Sequence, residues 1–125
     1  MLNKAELLNE MRLKTEIVEL DGGEVMVSEI GAADYIRLWS ENQLAGATDG
    51  SIDMAKFTPA LVALSVVDDK GNRIFSDDDV ALLSRSSHGP FLKLAAAARK
   101  VNGLTGDAVK NSEPSPADSS VSESA

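Results

Sequence analysis

Val66-Val67-Asp68-Asp69-Lys70-Gly71-Asn72-Arg73-Ile74-Phe75-Ser76-Asp77-Asp78-Asp79-Val80-Ala81-Leu82-Leu83 is the stretch on which the reading of this chain turns. Two apolar pairs, Val66-Val67 and Ile74-Phe75, flank a polar Asp-Lys-Gly-Asn tip, the composition of a tight turn between short extended pieces. A helix start follows at once. Ser76 is placed to accept a hydrogen bond from the backbone of Asp79, and Asp77, Asp78 and Asp79 fall where a helix N-terminus favours negative charge. The stretch specifies a turn and a new helix of about Asp77 to Arg85, with no catalytic side chain at the tip.

Upstream, Ala60 to Val67 is strongly apolar and belongs to the core. Its helix has two possible starts. Met54, Phe57, Leu61 and Leu64 make a helical stripe from Asp53 onward, but Pro59 would then lie in the helix interior. Thr58 as cap with Pro59 at the first helical position removes that conflict. Before it, Ala47 to Ser51 is a turn-rich break. The spacing predicts a helix over Ala32 to Leu44, with Ile36, Trp39 and Gln43 on one face, Tyr35 and Leu38 widening it, and Ala45-Gly46 as the stop.

The N-terminal part predicts a short helix and a hairpin. Leu7, Leu8, Met11 and Leu13 form a rough helical stripe among good helix formers. Thr15 to Leu20 and Glu24 to Ser28 flank Asp21-Gly22-Gly23, and Val18, Leu20, Val25 and Val27 supply a period-two apolar face. Downstream, Ser86-Ser87-His88-Gly89 breaks the chain. Pro90 opens a helix to Asn102 with Phe91, Leu94, Ala95, Ala98 and Val101 on one face. Gly103 ends it, Leu104 folds back on the last turn, and Thr105 caps a further turn around Asp107 to Lys110. From Ser112 the composition turns to Ser, Pro, Ala and acidic residues, too poor in apolar surface to offset its ordering entropy. The expected organisation is an α+β, mainly helical small domain over residues 1–111 with an N-terminal β-hairpin, then a disordered acidic Ser/Pro-rich tail over 112–125.

Composition narrows the function. In 125 residues, 43% are hydrophobic and 26% charged, ordinary for a soluble globular chain. No apolar run approaches the ~20 residues that span a bilayer. Lys4, Glu6, Glu10 and Arg12 interrupt the first stretch, so it does not read as a signal peptide. The absence of cysteine leaves no disulfide framework and agrees with a cytoplasmic site of action. The net charge of −8 and scattered Lys and Arg argue against a nucleic-acid partner. An acidic balance favours solubility, or suits a basic partner.

The residues able to carry chemistry have plainer explanations. His88 is the one histidine, in a loop with no nucleophile-elbow sequence around it. An EF-hand register from Asp68 puts Lys70 at a ligand position and Arg73 where the turn glycine belongs, and the register from Asp69 fails as well. Helix capping explains Asp77-Asp78-Asp79 more simply than a magnesium site does. Asp21-Gly22-Gly23 lacks the spacing of a phosphate-binding loop. No catalytic, cofactor or metal residue is therefore assigned. Tyr35 and Trp39 are the candidate partner-binding residues, against the plainer reading of two core aromatics. Ala95-Ala96-Ala97-Ala98 permits close helix packing, within the chain or across a subunit interface.

In order and wording the chain resembles the tail assembly chaperones of long-tailed, siphovirus-type bacteriophages. The resemblance rests on the Gly-turn hairpin of Ile17 to Val27, on Ala63-Leu64-Ser65-Val66-Val67-Asp68, and on the Asp-x-x-Gly-Asn-Arg-Ile-Phe tip. It continues through Ser76 to Leu83, Ala97-Ala98-Arg99-Lys100-Val101-Asn102-Gly103-Leu104 and Val109-Lys110-Asn111. It covers about Thr15 to Asn111 and consists of packing and turn residues; Pro59 and the Ser/Pro tail are not part of it. The resemblance implies a non-enzymatic protein that coats the tape measure protein in the infected bacterial cytoplasm, keeps it soluble, recruits tail tube subunits, and is absent from the mature virion. It carries no named functional side chain. Coating a long helical client with many weak contacts further implies self-association or arrayed binding. Two rivals from the residues themselves are an acidic module sequestering a basic or nucleic-acid-binding protein, and a small hydrolase using His88.

Overall fold

The computed structural model describes residues 1–104. Its elements are α1 (Lys4–Glu10), β1 (Thr15–Leu20), β2 (Gly23–Ser28), α2 (Ala32–Glu41), α3 (Met54–Ser65), β3 (Val66–Val67), a single 3-10 turn (Asp77–Asp79), α4 (Val80–Ser84) and α5 (His88–Val101). The fold is α+β and helix-rich, with the β1-β2 hairpin near the N-terminus. The readings of a turn around Asp107 to Lys110 and of the tail over 112–125 lie outside the described residues.

The three strands form one antiparallel sheet in the order β1-β2-β3. In the hairpin, Val18 faces Val25 and Leu20 faces Gly23, so Val18, Leu20, Val25 and Val27 share the inner face as their period-two spacing predicts. α5 lies across that face of β1 and β2 and meets α3, which packs in turn on α2 and α4. Sequence reasoning treated Val66-Val67 as extended but did not pair it. These residues join β2 opposite Val27 and Met26. The tip then closes through Asp68 N to Asn72 O at 2.8 Å, with the Asp68 carboxylate accepting from Lys70 N and Asn72 N.

α3 is the helix around which the core is built, and its observed start settles the two alternatives. The helix begins after Asp53, whose side chain accepts from Ala55 N, and Pro59 lies inside it; the Thr58 cap is not used. An interior proline costs about 3 kcal/mol through a lost hydrogen bond and a ring clash. Here the cost is offset by burial. Pro59, Phe57 and every residue from Leu61 to Ser65 are buried, the pattern of a helix with neighbours on most sides.

Three further boundaries differ from the sequence reading. α2 stops at Glu41, not Leu44, because the Asn42 side chain donates to Leu38 O at 2.7 Å and the chain turns into a Gln43–Ile52 bridge. Its buried face is Leu38 with half-buried Tyr35 and Trp39; Ile36 is 68% exposed, and Gln43 lies beyond the helix end. α5 begins at His88, not Pro90. Pro90 falls at the third helical position, where its missing N–H is one of those a helix start leaves unpaired anyway. The helix expected over Asp77 to Arg85 divides into the 3-10 turn and α4. At its start the Asp79 carboxylate accepts from Ser76 N at 2.9 Å and from the Ser76 hydroxyl at 3.2 Å, while Asp79 N donates to Ser76 O at 3.0 Å.

At the far end of α5 the expected cap is present. Gly103 has φ of +73°, its N–H donates to Lys100 O, and Leu104 N donates to Arg99 O at 2.6 Å, so Leu104 folds back and is buried. Asn102 ties three elements together here. Its Oδ1 accepts from Ile30 N at 2.9 Å, and its Nδ2 donates to Ser65 Oγ at 3.2 Å and Ala98 O at 2.8 Å.

Candidate functional site

The two aromatic candidates stand together at the edge of the core. Tyr35 and Trp39 meet edge to face with ring centroids 6.1 Å apart, and Trp39 leans on Phe57 at 4.6 Å. Both pack against the core while half-buried, and Trp39 Nε1 has no hydrogen-bond partner among the described residues. Trp39 is thus held inward by Phe57. Tyr35, one turn earlier, reaches the surface at a groove.

That groove has a volume of about 550 Å3 and is lined mainly by Met11, Leu13, Ile30, Ala32, Tyr35 and Ile36, with Glu29 and Asn102 at its polar margin. Its position follows from three local features. The Lys14–Glu29 pair, with Glu29 N donating to Lys14 O at 2.7 Å and Lys14 N donating to the Glu29 carboxylate at 3.1 Å, extends the base of the hairpin and turns Met11 and Leu13 toward α2. Asn102 fixes Ile30 at the junction of β2 and α2. The first turns of α2 then present Ala32, Tyr35 and Ile36 as one wall.

Next to the groove stands α1, which has a well-formed start and no interior to pack on. Asn3 Oδ1 accepts from Glu6 N at 2.9 Å, and Asn3 N donates back to the Glu6 carboxylate at 3.0 Å, a reciprocal cap. Yet α1 has no buried residue. Leu7, Leu8 and Met11, which share one face of the helix, are 48%, 56% and 66% exposed. Twelve large apolar side chains are exposed among the described residues, and six come from the first thirteen positions. An apolar helix face left open beside an apolar groove is the composition of a docking surface for another polypeptide.

Sequence reasoning found the Leu7-Leu8-Met11 stripe and Tyr35, but it missed the groove. A stripe over two turns does not say whether it faces the same chain, and Ile36 read as a buried member of α2. The mixed charges Lys4, Glu6, Glu10 and Arg12 were the available hint that α1 sits at the surface.

The acidic residues serve the scaffold. Asp77 meets Arg73 at 3.1 Å and Arg37 at 3.9 Å, and Arg37 also reaches Asp34 at 3.4 Å. Arg73 Nε donates to Ala63 O, a carbonyl near the end of α3, and so anchors the Asp-Lys-Gly-Asn tip to the core helix. Asp49 is held below the usual carboxylate range by the Ser51 hydroxyl and then its backbone N–H, in the loop before α3. His88 is exposed at the first position of α5. Among the described residues no three Asp, Glu or His side chains are placed to share a metal ion, and no helix is long and apolar enough to cross a membrane.

No family model, curated protein or solved structure matches this chain.

Proposed function

We propose that the protein is a non-enzymatic assembly chaperone for phage tails, which coats the tape measure protein in the cytoplasm of the infected bacterium, keeps it soluble, and helps recruit tail tube subunits. The observation that carries this reading is the open apolar face of α1 beside the groove of Met11, Leu13, Ile30, Ala32, Tyr35 and Ile36. A long helical client exposes apolar stripes until it assembles. A surface of this kind covers such a stripe by seating helix against groove. The contact is small, so each unit binds weakly and lets go at assembly, while repetition along the client supplies the overall hold. The net charge of −8 keeps the coated client dispersed. The order of turn, helix start and final helix resembling tail assembly chaperones supports the same assignment, and Tyr35 at the groove wall would be one of the contacting residues.

Co-expression tests it. The soluble yield of the tape measure protein should rise with the wild-type chain and should not rise with a Leu7→Glu/Leu8→Glu variant. An unchanged yield with the wild-type chain would overturn the reading.

A further inference from the structure

We infer that Asn102-Gly103 is a self-modification site, at which the side-chain amide is lost as ammonia, and that the fold keeps it closed by holding both reacting groups. Asn102 is the only asparagine of the chain followed by glycine. Glycine has no side chain to obstruct attack by its own backbone nitrogen, and its dihedrals turn freely enough to bring that nitrogen round. The reaction needs no co-reactant but water. The Gly103 nitrogen gives up its proton and attacks Asn102 Cγ; the N–Cγ bond forms, the Cγ–Nδ2 bond breaks, and ammonia carries the proton away. Water then opens the cyclic imide at either carbonyl. One opening leaves aspartate, the other isoaspartate, in which the backbone runs through the former side chain.

The native geometry opposes ring closure at each of its parts. Asn102 has φ of −94° and ψ of 8°, so the Gly103 nitrogen nearly eclipses the backbone nitrogen of Asn102 and is turned away from Cβ, the side on which the ring must form. That nitrogen is also engaged, since its N–H donates to Lys100 O at 3.1 Å. The amide under attack is fixed as well: Oδ1 accepts from Ile30 N, and Nδ2 donates to Ser65 Oγ and Ala98 O. Closing the ring therefore requires the last turn of α5 to open and Leu104 to leave the core. Helix ends open locally at a lower free energy than the whole molecule, which makes the site slow and not inert.

The product does not fit the place it leaves. A carboxylate still accepts from Ile30 N, but it has no hydrogen for Ala98 O and sets a negative charge against that part-buried carbonyl at the negative end of α5. Isoaspartate adds a methylene to the backbone just before Gly103, which carries the cap out of register with Lys100 O and Arg99 O. The change is one-way. A chain that opens at the end of α5 and reacts closes again with its tie between α5, α3 and the β2–α2 junction weakened.

The proposal involves no client, so its failure leaves the chaperone reading standing. The test is peptide mass mapping of the purified full-length chain aged at mildly alkaline pH, folded in buffer and unfolded in urea. The unfolded chain should acquire, at Asn102, the small mass gain of an amide NH2 exchanged for OH. The folded chain should acquire it about tenfold more slowly or slower still, in proportion to how seldom the end of α5 opens. Gly103→Ala should slow the reaction in urea, where there is no fold for the substitution to disturb. Asn102→Asp, which installs one product directly, should melt below wild type. Equal rates in the two states, no reaction at Asn102 in urea, no slowing by Gly103→Ala, or an Asn102→Asp chain as stable as wild type would each overturn the proposal.

Discussion

Asn102 is the side chain on which the greatest number of separate elements depend. It accepts from Ile30 N at the start of the groove wall and donates to Ser65 Oγ, a fully buried hydroxyl at the end of α3. Asn102→Ala leaves both groups in a poorly solvated site without their partner, and an unmade buried bond costs about 1–3 kcal/mol. Urea unfolding of the variant should show a stability loss of about 2 kcal/mol, with the midpoint shifted and the slope unchanged. Gly103, the next residue, has φ of +73°, and open space surrounds the position a Cβ would take. Gly103→Ala therefore meets backbone strain and no clash, and should cost about 1 kcal/mol in the same measurement. Of these neighbours only Gly103 was legible in the sequence. A helix stop is a local pattern, whereas Asn102 acts across 72 residues to Ile30, and nothing in a local pattern announces such a partner.

Among the elements, the hairpin is held by its inner face against a liability on its outer one. Glu19 and Glu24 stand directly opposite each other across β1 and β2, both exposed. Like charges so placed are unfavourable, and Glu24→Lys should stabilise the chain by about 0.2–1 kcal/mol in thermal or urea unfolding, the gain shrinking in high salt. The inner face of β1 begins with Glu16, half-buried and 3.4 Å from Lys100 of α5. An inward charge of this kind discourages other strands from pairing along the free edge of β1. Strand and helix identities were readable because their periods are local. The start of α3 was not, since Pro59 sets local preference against burial, and burial on most sides prevails only once neighbouring helices are in place. The partner of β3 was also hidden: two valines specify an extended piece, while pairing with Met26 and Val27 is fixed by α3 carrying the chain back to the sheet.

At the scale of the whole molecule, an α+β fold with a helical core follows from the order of the patterns, while the apolar groove proposed for docking arises only where the N-terminal arm, the β2–α2 junction and α2 come together. Tyr35 reads from the sequence as a core aromatic or a partner-binding one, and spacing cannot choose between them; Ile36 was hidden, since helical spacing alone placed it with Trp39 on one face of α2. The account makes two predictions about the molecule as a unit. Binding to a helical tail client should persist as salt is raised to ~1 M, where the Debye length falls to ~3 Å, because the contact is apolar; an acidic module holding a basic partner would lose it. His88→Ala should leave client solubilisation at the wild-type level, since His88 stands exposed at the start of α5 and outside the groove lining.

The most direct test is amide hydrogen exchange of the full-length chain with and without a tape measure fragment, measured on an Ile36→Glu variant as well as on wild type. The account predicts slowed exchange on binding that centres on residues 4–13 and 30–36 of the wild-type chain and weakens in the variant. Slowing confined to other segments, or no change on adding the fragment, would contradict it.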